Sequence, residues 1–295
     1  MIRRKEKSER LPGETAVTIG KFDGVHIGHR RLFDAVLAEK KNGYQACVLS
    51  FWTKSGEGKN VIYTRAEQEL LCASLGIDVL AEYTLDEALR SLSAEQFVAE
   101  VLCKELNAKV IVTGEDFRFG RDRRGDTALL RSLSSVHGYR TISIPKVENG
   151  GTRISSTKIR ELLTVGAMEE ANALLGQPYF IYAEVVHGRQ LGRTFGFPTI
   201  NMLPPPEKLL PAYGVYVTQT RLGDVWYSGI TNIGLRPTVD SGERVSVETH
   251  LAGYEGNLYG KTLETRFLSF LRPEQRFEST EALKQAIQKD MKKLF

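Results

Sequence analysis

Cysteine is nearly absent from this chain: Cys47, Cys72 and Cys103 stand singly in apolar surroundings among 295 residues. An odd number of isolated cysteines, none at metal-ligand spacing, argues against a disulfide framework or a thiolate metal site. It suits reduced core residues of a cytoplasmic protein. Long apolar runs are missing as well. No stretch could cross a bilayer as a helix, and Met-Ile-Arg-Arg-Lys leads into no hydrophobic signal core, so no membrane association is expected. Net charge is small, +4, and no strongly basic face supports a nucleic-acid partner. The basic tip (Arg3, Arg4, Lys5, Lys7) reads as a solvated tail. There is no internal repeat and no low-complexity segment. What remains is 41% apolar and 26% charged residues, the balance of a soluble globular protein, at a length that favours two domains.

The two halves differ in rhythm. From residue 15 to about 160, strand-like runs alternate with helical patterns. "TAVTIG" precedes "RRLFDAVLAEK", where Leu32, Phe33, Val36 and Leu37 share a face. "YQACVLSF" is the next strand, and "SAEQFVAEVLCKEL" places Phe97, Val98, Val101 and Leu102 on one stripe. "AKVIVTG", a helix near 127–136 and "RTISIPKV" continue the alternation. This predicts a Rossmann-like α/β module with a parallel sheet and ligands at the carboxyl ends of its strands. Beyond residue 178 the runs become short, β-branched and aromatic: "FIYAEVVHG", "YGVYVTQTRL", "VWYSGITNIG", "VSVETHLAGY" and "LETRFLSFL". They predict a small antiparallel barrel, closed by a terminal helix lined by Leu283, Ile287, Met291 and Leu294. The expected domains are 1–178 and 179–295.

In the first module "TIGKFDGVHIGHRRLF" runs strand, glycine turn, helix. Amides at a helix start favour an anion, and His26 and His29 would stabilise charge developing on a phosphate there. Gly24 and Gly28 would let a nucleotide approach the backbone. Two ordinary surface histidines at a helix end remain the alternative. A second helix start, "ISSTKIRELL", offers Ser155, Ser156, Thr157, Lys158 and Arg160, suited to a triphosphate or to simple N-capping.

In the second module "VVHGRQLGRTFGFPTINM" is glycine-rich and ends in a proline-stiffened turn. Gly188, Gly192 and Gly196 would let a loop wrap phosphates through its amides. The Thr199 hydroxyl and Asn201 carbonyl oxygen are hard donors suited to Mg²⁺ carried on ATP, although Pro, Thr and Asn also make ordinary turns. The spacing is not that of a P-loop. Glu248, in "VSVETHL", reads as an inward carboxylate on a barrel strand, costly to bury without work or a partner. It could accept a proton from an attacking hydroxyl, face water, or pair with Arg244 or Arg266.

H-x-G-H with I-S-S-T-x-I-R resembles the nucleotidylyltransferase superfamily, and "GKFDGVHIGH" with "GEDFRFGRDRRGD" (114–126) resembles its flavin branch. "GRTFGFPTIN", "YGVY", "NIGLRPT", "VETHL", "LYGKTL" and "LRPEQRF" follow the order found in flavokinases, with Ile200 in place of the usual alanine. Over nearly its whole length the chain resembles bacterial bifunctional riboflavin kinase/FAD synthetases. The resemblance implies that the barrel phosphorylates riboflavin with ATP and Mg²⁺, with Glu248 as base and Thr199 and Asn201 at the metal. It further places Arg272 near the kinase's flavin, and implies adenylylation of FMN to FAD at His26 and His29 with Asp116 and Phe117 near flavin.

One departure stands out. The family's second strand usually ends in T-F-x-P-H-P, whereas here "SFWTKSGEGKN" (50–60) holds neither histidine nor proline. Trp52-Thr53-Lys54-Ser55-Gly56 replaces a rigid wall of the flavin pocket, and nucleotidyl transfer depends on near-attack placement. Trp52 could restore a stacking surface. The alternative expectation is therefore a monofunctional riboflavin kinase with a disabled adenylyltransferase module. A non-catalytic flavin or nucleotide sensor ranks lower, because Glu248 and the Pro-Thr-x-Asn turn are both present. Oligomeric state is not legible in the sequence.

Overall fold

The computed structural model describes every residue except 6–8, 54–59, 150–151, 189–196, 238–242, 276 and 295. Contacts divide the chain into Met1–Ser156 and Thr157–Phe295.

The first unit is built on six parallel strands: β1 (Ile2–Lys5), β2 (Thr15–Gly20), β3 (Gln45–Trp52), β4 (Val79–Thr84), β5 (Ala108–Gly114) and β6 (Arg140–Ile144), ordered β1-β4-β3-β2-β5-β6, beside a separate antiparallel pair of β7 (Glu148–Asn149) and β8 (Thr152–Arg153). Helices α1 (Ile27–Ala38), α2 (Arg65–Ser74), α3 (Glu87–Ser91), α4 (Ala94–Gln96) and α5 (Thr127–His137) connect them, α4 running on as a π-helix over Phe97–Glu105. The central strands are buried along most of their length because both faces are covered, as parallel sheets require. The expected stripe of Phe97, Val98, Val101 and Leu102 is buried. Local signals set the helix ends. Thr64 and Glu67 form a capping box on α2, Asp126 caps α5, and Gly138 closes α5 in the left-handed region.

Strand order reverses between β2 and β5: the chain fills one side of the sheet first, then crosses to the other. The carboxyl ends of these two strands are therefore the switch point where open α/β sheets bind ligands.

Arg3, Arg4 and Lys5 of the basic tip are not a solvated tail, and Lys7 lies outside the described residues. Residues 2–5 add β1 to the sheet edge in register with Val79–Glu82 of β4, Arg4 is buried, and Arg3 pairs with Glu82 and with Glu69 (3.1 Å). Charge drawn to two carboxylates, not solvation, decides its place. Cys47 and Cys72 are buried and Cys103 half-buried, all free. Burial pushes their thiols up to about 12, 12 and 11.

The second unit begins with α6 (Ser156–Thr164), which starts at the division, and α7 (Met168–Leu175), which packs on two of the barrel's strands. The change of rhythm read at 178/179 falls at the start of β9 (Tyr179–Val186), whereas contacts divide the chain at 156/157, because α6 and α7 group with the barrel. β10 (Thr199–Leu203), β11 (Gly214–Leu222), β12 (Val225–Pro237), β13 (Glu243–Leu251) and β14 (Thr262–Pro273) complete a closed barrel ordered β10-β13-β12-β11-β14-β9. The terminal helix α8 (Thr280–Met291) is capped by Ser279. Inside the barrel, hydroxyls link Thr218 to Thr231 (2.7 Å) and Thr231 to Thr249 (2.8 Å), while Thr220 meets Thr265 (2.9 Å). Each buried hydroxyl thus has a partner, and the pairs fix which side of each strand faces inward.

Candidate functional sites

At the switch point the chain leaves β2 through a turn with three residues in the left-handed region: Phe22 (φ 48°), Gly24 (φ 92°) and Val25 (φ 36°). Glycine adopts this freely. For phenylalanine and valine each such conformation costs about 1–3 kcal/mol and persists only where the surroundings impose it. The turn delivers His26 to the N-cap of α1, where its Nδ1 accepts from the His29 amide (3.3 Å). The proton of the neutral His26 ring is therefore on Nε2. The two imidazoles stack with centroids 3.6 Å apart, and the Phe22 ring meets His29 edge-on at 5.2 Å. Gly28 makes room for this, since a Cβ there would lie 3.1 Å from the His26 Nδ1.

Burial lowers His26 to about 4. His29 lies well below its usual value, by burial first and the neighbouring His26 second, and its Nδ1 is shielded from solvent without a partner among the described residues. Both rings are neutral near pH 7.

These residues line a cleft of about 350 Å³. Ile19, Gly20, Gly114 and Ile144 form it from the ends of β2, β5 and β6, and Asp116, Phe117, Ser155 and Ser156 contribute walls. The structure thus brings His26, Gly28, His29, Asp116, Phe117, Ser155 and Ser156 together on this face, while Gly24 is not in the lining. Ser156 is engaged, donating its hydroxyl to the Asp23 carbonyl (2.6 Å). Thr157 is exposed and Arg160 half-buried on α6, beyond the division between units. Lys146 escaped sequence reading. It lines the cleft and pairs with Asp116 at 3.1 Å, and its only signal was a cation two residues past the end of β6. Trp52 does not line this cleft: β3 carries it, paired with Thr84, and the Arg65 guanidinium sits 5.1 Å from its ring centre. Lys54, Ser55 and Gly56 lie outside the described residues.

In the barrel the proline motif is not a bare turn. Thr199–Leu203 is strand β10, and its register places Asn201 directly opposite Glu248 of β13, which in turn faces Asn232 of β12. Glu248 is not inward as the sequence suggested. Its neighbours Val247 and Thr249 are fully buried, so alternation turns Glu248, and with it Asn201 and Thr199, to the outer face. The threonine pairs inside fix that parity. The Ser246 hydroxyl lies 3.4 Å from the Glu248 carboxylate, and Arg266 pairs with Glu264 instead.

Asn201 is buried, and its Oδ1 has no hydrogen-bond partner among the described residues. An orphaned hard oxygen beside a carboxylate fits a divalent cation. Gly188 shapes this position, because a Cβ there would fall 2.6 Å from the Asn201 Cγ. Gly188→Ala should therefore displace the carboxamide and weaken divalent-cation binding at this position by about 10-fold, within the range of losses seen when a metal ligand's support is removed. Titration of the protein with a divalent cation checks it; an unchanged midpoint would separate Asn201 from cation binding. Gly192 and Gly196 lie outside the described residues.

A second cleft, about 530 Å³, opens between Pro198–Ile200 and Tyr254–Tyr259. His250 donates from Nδ1 to the Pro198 carbonyl (2.9 Å) and His187 stacks on Tyr259 (3.8 Å). Tyr254 and Tyr259 went unnoticed as lining residues because they sit in a loop with no periodicity. Arg272 makes a fork to Asp290 of α8 (2.8 and 3.1 Å), so in this structure its guanidinium ties the terminal helix to β14.

A stacked histidine pair at the switch point of a parallel sheet, joined in one chain to a barrel bearing Asn201 opposite Glu248, defines a nucleotidyltransferase-like module followed by a flavokinase-type barrel. The FAD synthetase family model matches residues 8–158 and the riboflavin kinase model residues 175–294. The chain is 36% identical to the bifunctional riboflavin kinase/FMN adenylyltransferase of Escherichia coli (strain K12), covering 98% of this chain and 95% of that protein. The Pseudomonas fluorescens protein of the same description is also 36% identical, with 93% and 90% covered. Among solved structures, one described as a macrolide-efflux protein from Streptococcus pneumoniae superposes with a TM-score of 0.87 at 30% identity, covering 99% and 98% of the two chains. The chain belongs to the bifunctional riboflavin kinase/FMN adenylyltransferase family. No helix among the described residues is long and apolar enough to cross a membrane.

Proposed function

We propose that the second unit phosphorylates riboflavin to FMN with ATP and Mg²⁺, and that the first adenylylates FMN to FAD. The observation that carries the kinase reading is the register of Asn201 against Glu248 on the outer face of the barrel. Glu248 takes the proton of the terminal ribityl hydroxyl as that oxygen attacks the γ-phosphorus of ATP and ADP leaves. Thr199 and Asn201 would hold the Mg²⁺, which when bound neutralises phosphate charge. In the first unit a phosphate oxygen of FMN attacks the α-phosphorus of a second ATP and pyrophosphate leaves. The neutral His26 holds its Nε2 proton ready to donate to the phosphate on which charge builds. Lys146 and Asp116 fix one wall for the flavin nucleotide, joined by Phe117. Ser155 and Ser156 border the nucleotide.

The monofunctional alternative rests on the altered segment alone, of which residues 54–59 lie outside the described residues, and is not better supported than the bifunctional reading. Substrates and products of this kind suit a cytoplasmic enzyme without a nucleic-acid or membrane partner. The test incubates the full chain with riboflavin, ATP and Mg²⁺, and in parallel with FMN, ATP and Mg²⁺, and separates the flavins. FMN and FAD should both form in the first reaction and FAD in the second. FMN without FAD in both would overturn the adenylylation reading, and no FMN from riboflavin would overturn the kinase reading.

A further inference from the structure

Asp23 sits inside the strained turn, between Phe22 and Gly24. Its carboxylate accepts hydrogen bonds from the amides of Ile62 (2.9 Å) and Tyr63 (3.4 Å), two buried residues just beyond the altered segment 50–60. Its carbonyl accepts the Ser156 hydroxyl. Gly24 is seated on the same residue, since a Cβ there would lie 2.9 Å from the Ile62 Cδ1. On the other side of that segment, the Ser50 hydroxyl donates to the buried Gln68 carboxamide (2.8 Å), which donates onward to the carbonyl of Phe22 (3.3 Å). The turn carrying His26 is thus anchored to the residue that opens the altered segment and to the residues that follow it. Left-handed Phe22 and Val25 need such anchors, because a free chain would relax out of that conformation.

We propose that Asp23 is a positioning residue for His26: its carboxylate holds the strained turn against Ile62 and Tyr63 and so fixes the imidazole at the helix start. The activity arm of its test rests on the adenylylation reading; its structural arm does not.

The experiment compares the wild-type chain with Asp23→Ala, Asp23→Asn and Asp23→Glu, by FAD formation and by the His26 imidazole resonance in NMR spectra of histidine-labelled protein. Asp23→Ala should lower kcat by about 10- to 100-fold, the scale of a misplaced catalytic group, with smaller changes in KM, and should shift the His26 resonance. Asp23→Asn, which keeps an oxygen for the Ile62 amide, should recover most of both. Asp23→Glu keeps the charge but moves it by a methylene and should not. An unmoved His26 resonance in Asp23→Ala would overturn the proposal, as would a rate lost only in proportion to unfolded protein. If Asp23→Ala fails to fold, the asparagine and glutamate variants decide: rescue by Asn alone supports the clamp, and rescue by Glu alone overturns it. If the wild type makes no FAD, the adenylylation reading has failed, and the resonance alone decides whether Asp23 positions His26.

Discussion

Glu248→Gln should lower kcat for riboflavin phosphorylation by about 10²–10⁴-fold, the range for loss of a general base, while KM for riboflavin changes little. The substitution preserves volume and the capacity to meet the Ser246 hydroxyl, which lies 3.4 Å away, but an amide cannot take up the proton of the attacking hydroxyl. Folding should be nearly indifferent to it. Glu248 faces outward from β13, half-buried, between Val247 and Thr249, whose inward packing is untouched, so stability should move by less than about 1 kcal/mol. Initial rates at saturating ATP, read beside a denaturation curve, separate the two effects. A variant retaining wild-type kcat would remove Glu248 from the chemistry. The outer-face position sharpens this test. An inward carboxylate would have shared the threonine-lined interior, and its removal would have changed stability and rate together.

That distinction marks where the sequence was legible and where it was not. The parallel sheet showed because β2, β3 and β5 are buried on both faces, leaving mostly apolar runs separated by amphipathic helices. The barrel showed as short β-branched strands. Parity within a barrel strand did not, because Val-Glu-Thr alternates one carboxylate with two residues that are equally at home on either face. Only the cross-strand pairing of Thr218, Thr231 and Thr249 settles which side is inside. Residues 2–5 misled for a related reason: two arginines suggest solvent until Glu69 and Glu82, far along the chain, appear beside them. The histidine pair was readable from its spacing, but its company was not. Lys146 and Asp23 act through contacts distant in sequence, 146 with 116 and 23 with 62, and no local period reports such pairs.

His26→Ala should reduce FAD formation by about 10²–10³-fold, the cost of removing one donor at a site of developing negative charge, and leave FMN formation unchanged. Its effect on stability should depend on pH, because burial depresses the folded-state pKa of His26 to about 4 from an ordinary 6.5. The unfolded chain therefore binds the proton more tightly. The His26 contribution to wild-type stability is fully present above about pH 6.5, falls as the pH drops towards 4, and stops falling below that, where this group is protonated in both states. The interval of about 2.5 pH units corresponds to at most about 3 kcal/mol. Alanine lacks this term but also loses the side-chain cap on α1, which is worth about 1 kcal/mol. Above pH 6.5 the variant should accordingly be the less stable protein by about 1 kcal/mol. On acidification the two denaturation midpoints should converge and then cross, since the proton-linked loss exceeds the cap. Midpoints that stay parallel between pH 6.5 and 4 would mean that His26 is not held neutral by burial, and the imidazole would then have to be treated as a cation at the phosphate.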